Sequence, residues 1–175
     1  DEAIGDAGAD SGIDLSKYQK LDEIPYDFIR KRLSVFVRHE QDATALMISK
    51  GAMENILEVC DHIQVETGTE PLTEEHHSDL LQRFSDWSEQ GYRVLGIAQK
   101  FVLQAGVYTR DDEHAMVFSG FLLFFDPPEE GVGKTLEELR RLGVQLKIIT
   151  GDNRHVARHV AEAVGVDVTR IITGA

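Results

Sequence analysis

The sequence predicts an α+β chain: an antiparallel sheet with helices, followed by a partial Rossmann-like β-α-β-α-β stretch. Three observations lead there. Residues 32–49 hold two apolar segments on either side of a polar turn, the first of them strictly alternating, as a half-buried hairpin does. Residues 73–91 hold a helical period between a capping threonine and a glycine. Residues 116–125 and 144–149 are near-continuous apolar runs, each followed by a helical pattern, as expected of parallel strands buried on both faces. The change of pattern predicts two domains, residues 1–118 and 119–175.

The bulk properties narrow the function. A chain of 175 residues suits one or two domains with a sizeable core. With 42% hydrophobic and 28% charged residues it reads as a soluble globular protein. A net charge of -13 argues against nucleic acid or an anionic membrane surface as the main partner. Cys60 is the single cysteine, so no disulfide framework is possible and a reducing compartment is expected. It reads as a buried helical filler. No run approaches the roughly 18 apolar residues of a membrane span, and no signal peptide is visible. The chain starts at Asp1-Glu2-Ala3 without an initiating methionine and reads as a piece of a longer protein.

In chain order, residues 5–17 are rich in Gly, Asp, Ala and Ser and predict a loop. Arg32 to Arg38 alternates, with Leu33, Val35 and Val37 on one face and Ser34 and Phe36 on the other. Thr44 to Ser49 predicts the second strand of the hairpin. A short helix is expected from Gly51 to Cys60, then a minor strand at Ile63 to Glu66. Thr73 caps a helix running to about Gln90, with Leu80, Phe84 and Trp87 on one face. Tyr92 to Val102 predicts another strand, and residues 104–113 a polar loop. After the apolar run of residues 116–125, Asp126-Pro127-Pro128 forms a rigid exit. A helix is expected from Gly131 to Leu142, a buried strand at Val144 to Ile149, a helix to Val164 and a last strand at Thr169 to Thr173.

Several motifs can carry chemistry. Lys50 ends a strand, with Gly51 next and a helix start beyond. Such a junction suits a phosphate, since the glycine admits close approach and the helix N-terminus adds positive potential; a solvated lysine before an ordinary turn fits as well. Tyr26-Asp27-Phe28 precedes Arg30-Lys31-Arg32, a ring beside cations that can stack a base and hold its phosphates, or else an aromatic staple on a solvated basic turn. Arg93 starts a long strand and can reach phosphate or ribose. Thr150-Gly151-Asp152 ends an apolar strand where open α/β sheets bind ligands; Asp152 also fits as a plain helix cap. Gly131-Val132-Gly133-Lys134-Thr135 contains G-K-T, but a P-loop needs a glycine where Pro128 stands. The seven histidines show no convincing metal spacing.

Taken together, these motifs resemble the P-type cation-transporting ATPases. K-G-A at Lys50, Y-R-V-L-G at Arg93, D-P-P at Asp126 and I-T-G-D-N at residues 149–153 occur in that order in the family. I-P-Y-D-F resembles a segment of the bacterial magnesium-transporting branch. The resemblance covers nearly the whole chain. It implies a nucleotide-binding domain with a twisted antiparallel sheet flanked by helices, followed by part of a HAD-like phosphorylation domain. It implies an adenine stacked on Tyr26, with Phe28 as the alternative, and a basic contact near the phosphates from Lys31. Lys50 and Gly51 would line the pocket, Arg93 would contact the phosphates, and Asp1 would lie near the adenine. Asp126 would lie at the domain hinge and Thr150, Gly151 and Asp152 in the phosphorylation domain.

The same resemblance implies ATP with Mg as its complex, the pump's remaining domains as partners and a place on the cytoplasmic side of a bacterial inner membrane. The family's phosphorylated D-K-T-G-T and later G-D-G-x-N-D segments do not occur in this chain, and Glu129 stands where many members have arginine. No catalytic aspartate is therefore expected here, so the expectation is nucleotide binding without turnover. The rival expectations are a soluble P-loop NTPase using Lys134 and Thr135, and a non-enzymatic interaction domain.

Overall fold

The computed structural model describes residues 2–10, 14–103, 107–168 and 171–172. Its centre is a seven-stranded sheet in the order β1-β2-β3-β6-β7-β4-β5. The strands are β1 (Tyr18–Asp27), β2 (Arg32–His39), β3 (Ala45–Gly51), β4 (Cys60–Val65), β5 (Gly68–Pro71), β6 (Arg93–Val102) and β7 (Met116–Phe124). All neighbours pair antiparallel except β4 with β7, which run parallel. The helices are α1 (Glu2–Asp10), α2 (Met53–Leu57), α3 (Glu74–Glu89), α4 (Val132–Arg141) and α5 (Arg154–Ala163). The α+β class is the one the sequence predicts.

The predicted hairpin is β2 and β3, in the register Leu33↔Lys50, Val35↔Ile48 and Val37↔Leu46. Its inward face is set by one large residue. Phe36 and Ser34 are fully buried, whereas Leu33, Val35 and Val37 are only half-buried. Phe36 carries more apolar surface than any valine, and it stacks on Tyr108 with centroids 4.0 Å apart. On the same face lie Met47, Ala98, Met116 and Phe118, packed against Met53, Ile56 and Leu57 of α2 and Leu80 of α3. At Gly96 a side chain would stand 3.1 Å from Ile56 Cβ, so the glycine lets α2 lie close to β6.

Helix α3 forms as its signals predict. Thr73 Oγ1 accepts from His76 N at 3.2 Å, and His76 Nδ1 accepts from Thr73 N at 3.4 Å, a reciprocal cap. Gly91 ends the helix at φ 89°, a conformation that favours glycine.

Four expectations differ from the structure. Residues 5–10 lie in α1 rather than in a loop; residues 11–13 are outside the described residues. β1 was not apparent as a strand because Lys20, Asp22 and Glu23 give it the polar character of a charged sheet edge. Cys60 opens β4 instead of sitting in a helix.

The fourth difference concerns the parallel unit. Its first strand is β7, which pairs with β6 and β4 in the single sheet. Residues 144–149 form no strand, and Ile149 is 97% exposed. A strand needs a neighbour to fill its backbone hydrogen bonds, and no described residue pairs there. Of the last expected strand, residues 171–172 lie in no strand and the others fall outside the described residues. Helices α4 and α5 do form, and α5 is capped by Asn153, whose Oδ1 accepts from His155 N at 2.9 Å and Val156 N at 3.0 Å. Asp152 is therefore not the cap.

Candidate functional site

The two faces of the sheet are unequal. Helices α2 and α3 cover the face of Ser34, Phe36, Met47 and Ala98. Alternation puts Leu33, Lys50 and Ile97 on the opposite face in one cross-strand row, with Val35, Ile48 and Gln99 in the next. All six are half-buried. Arg93 and Leu95 lie on this face of β6 too, being two and one side-chain steps before Ile97. Lys50 and Arg93 thus share one half-open apolar face, about 13 Å apart along the strand.

Both residues are also at one end of the sheet. There β2 begins at Arg32, β3 ends at Gly51, β6 begins at Arg93 and β7 ends at Phe124. The β1–β2 turn brings Tyr26, Phe28 and Lys31 to the same end. Tyr26 is 50% and Phe28 86% exposed, their rings meeting edge to face at 5.4 Å. Lys31 stands at φ 49°, in the left-handed region that costs a side-chain-bearing residue about 1–2 kcal/mol. Its carbonyl accepts from Ala52 N at 2.9 Å, joining the turn to the end of β3. Gly51 is what lets the two meet. A side chain there would overlap the Lys31 carbonyl oxygen and stand 2.5 Å from Arg32 Cβ. The glycine's role is close backbone packing of the turn.

Of the basic cluster, only Lys31 is exposed to solvent. Arg30 and Arg32 turn to Glu113, whose side chain is inaccessible. Arg30 Nη1 donates to both carboxylate oxygens at 2.6 Å, and Arg32 Nε donates to Oε2 at 2.9 Å. Ser34 Oγ donates to Oε1 at 2.7 Å, and Arg32 Nη1 donates to Asn55 O at 3.0 Å. Burial raises the Glu113 carboxyl's pKa, but hydrogen bonds from Ser34, Arg30 and Arg32 outweigh it and hold the group below its ordinary value. The cluster is thus neither a solvated turn nor three phosphate cations. Glu113 was invisible in the sequence because its partners are 79 to 83 residues away.

The remaining motif residues approach the same end. Asp126 follows β7 and is exposed. The Thr150–Asp152 turn closes on itself, with Thr150 Oγ1 donating to Asp152 Oδ2 at 2.8 Å and Asp152 N to Thr150 Oγ1 at 3.1 Å. Asp152 Oδ1 stands 3.9 Å from Arg93 Nε, which links this turn to the sheet-end residues. The turn residues Thr150, Gly151 and Asp152 line a concavity with Leu146, Ile148 and Arg154, of which Tyr26 and Lys50 are not part. Lys134 and Thr135 are exposed in the first turn of α4, where their amides donate to Gly131 O. Pro127, Pro128, Glu129 and Glu130 precede them, which suits a phosphate poorly. Among the described residues no cluster of side chains can hold a metal ion, and no helix is long and apolar enough to cross a membrane. Asp1 lies outside the described residues.

The family model for the P-type ATPase cytoplasmic domain N matches residues 6–131. A "Magnesium-transporting ATPase, P-type 1" of Salmonella typhimurium strain LT2 is 37% identical over 162 residues, 91% of this chain. The protein of that name from Escherichia coli strain K12 is 35% identical over 160 residues, again 91% of this chain. A "Calcium-transporting ATPase 1" of Bacillus cereus is 29% identical over 159 residues, 90% of this chain. The chain spans 18% of the length of each of these relatives.

Proposed function

The chain belongs to the P-type ATPases, through the family's cytoplasmic domain N, and on that premise we propose that it binds ATP at the end of the sheet where Lys50 and Arg93 share a face. The base stacks on Tyr26, or on Phe28, and lies over the half-buried face of Leu33, Ile48 and Ile97 beside Lys50 and Gly51. The phosphates, with their Mg, extend toward Arg93, with Lys31 as a second cation. Apolar rows suit a base, and the cations supply the charge that phosphates need.

The observation that carries this reading is the common face of Lys50 and Arg93. Two cations about 13 Å apart across apolar rows fit an extended ligand with an aromatic end and an anionic end. Residues 1–118 are assigned to nucleotide binding. Residues 119–175, with Asp126 and Thr150–Asp152, are assigned to the start of a phosphorylation domain, the two sharing β7. The whole protein is an ATP-driven cation pump, with magnesium as its ion, in a bacterial inner membrane with this part on the cytoplasmic side. Its other domains are this chain's partners. The pump's chemistry is γ-phosphoryl transfer to an aspartate, which depends on positioning and charge neutralisation. The chain holds no D-K-T-G-T nucleophile segment, so it binds ATP without hydrolysing it.

An amide NMR titration with ATP and with AMP, on the wild type and Lys50→Ala, tests this. Shifts at Tyr26, Lys50 and Arg93 that weaken in the variant are expected. Shifts confined to Gly133–Thr135 would favour phosphate binding at α4 instead. Silence at millimolar ATP would leave a non-enzymatic interaction domain.

A further inference from the structure

Glu113 is a buried carboxylate with no place in nucleotide contact, yet two of its four hydrogen bonds come from Arg30 in the turn that carries Tyr26. Arg30 is the connection. One end of its guanidinium is held by Glu113, and its Nη2 donates to Pro25 O at 3.0 Å, immediately before Tyr26. On the other side of Tyr26, Asp27 Oδ1 accepts from Ile29 N and Arg30 N, each at 2.9 Å. Asp27 Oδ2 lies 3.5 Å from Arg110 Nη2, three residues before Glu113. The chain on both sides of the ring is therefore tied to residues 110–113. The tied turn includes Lys31 in its left-handed conformation, which persists only where its surroundings over-determine it.

We propose that Glu113 is a positioning residue for the nucleotide site. It holds the β1–β2 turn through Arg30, so that Tyr26, Phe28 and Lys31 stand beside Lys50 and Gly51 before any ligand arrives. The inference rests on the nucleotide reading given above. A preorganised turn spares the ligand the cost of ordering those side chains. It also engages Arg30 and Arg32 inside the protein, so that Lys31 is the exposed cation of the turn.

The test is ATP affinity, by NMR titration, in the wild type, Glu113→Gln, Glu113→Asp and Arg30→Met, each alone and with Tyr26→Ala. Arg30→Met cuts the link to the turn and leaves Glu113 paired with Arg32 and Ser34, so it carries the test if Glu113→Gln does not fold. Glu113→Gln and Arg30→Met are each expected to weaken ATP binding about tenfold, with Glu113→Asp between them and the wild type. In the Tyr26→Ala background the same changes are expected to have little further effect, because they act through that ring. Losses that simply add to the loss from Tyr26→Ala, or unchanged affinity in Arg30→Met, would overturn the positioning role while leaving the nucleotide site standing. No binding by the wild type would instead overturn the nucleotide reading, and the inference with it.

Discussion

Ser34 and Ser49 face each other across β2 and β3 with their hydroxyl oxygens 2.6 Å apart, both fully buried. The neighbouring carboxylate fixes the direction of this bond. Ser34 has one proton, and ionised Glu113 takes it at 2.7 Å, so Ser49 donates to Ser34. The approach of Ser49 Oγ to Met116 Sδ at 3.5 Å is then a packing contact. The chain of donors makes the two serines unequal. Ser34→Ala strips a hydrogen bond from a buried charge and is expected to cost about 2 kcal/mol. Ser49→Ala removes a neutral bond and is expected to cost about 1 kcal/mol. Denaturant midpoints of the two variants check the order, and equal costs would refute the assigned direction.

Acid should loosen this cluster at a predictable point. The Glu113 carboxyl is held below its ordinary value of 4.5, against the opposing push of burial. A carboxyl whose folded pKa is depressed contributes stability above its unfolded pKa and loses it as pH falls through the folded value. The expected contribution of this group is constant near neutral pH and declines below pH 4.5. In Glu113→Gln the part of that decline due to this group should be missing. Thermal melting of both proteins across that range measures it.

Gly51→Ala is a sharper steric test. A methyl group at this position overlaps the Lys31 carbonyl and crowds Arg32, which are backbone or close to it and cannot turn aside. The expected loss is about 1–3 kcal/mol. Because the strain falls on the turn, the amide shifts of residues 26–32 should move more than those of α3. A variant as stable as the wild type would show that the turn stands farther from β3 than described.

Cys60 should be chemically quiet. Burial, then the negative charge of Asp61, push its thiol up to about 12, and its Sγ lies 3.1 Å from Ile56 O. The thiolate is the reactive form. Iodoacetamide at about pH 8 should leave the folded protein unmodified and label it as urea unfolds it. Rapid labelling without denaturant would contradict the raised thiol pKa of this half-buried residue.

How much of this was legible depended on the distance over which the signal acts. The Thr73 cap, the row of Leu80, Phe84 and Trp87 and the β2–β3 alternation are local, and the elements they predict form. Which face of the hairpin goes inward was not local. Both faces carry apolar residues, and only the helices from α2 onward decide that Phe36 is buried and Val35 half-open. Residues 144–149 have every local mark of a strand but lack neighbours among the described residues. The candidate site was legible as separate motifs. That Lys50 and Arg93 share a face, and that Gly51 receives the Lys31 carbonyl, follows from register and is apparent only once the strands are paired.

The strand order has a consequence for how the protein is made. β7 lies between the β1-β2-β3-β6 group and the β4-β5 pair, yet it comes last in the chain among the described strands. Until residues 113–124 leave the ribosome, the β4-β5 hairpin has nowhere to dock. Arg30, Arg32 and Ser34 likewise wait for a carboxylate 79 to 83 residues downstream. Closing a loop of that length before its contacts reward it is slow. Docking of β7 is therefore the expected rate-limiting step of folding. During it an unfinished chain exposes two open strand edges, those of β6 and β4, to neighbours or chaperones. Pulsed hydrogen exchange during refolding should find the β2–β3 amides protected before those that link β4 to β7.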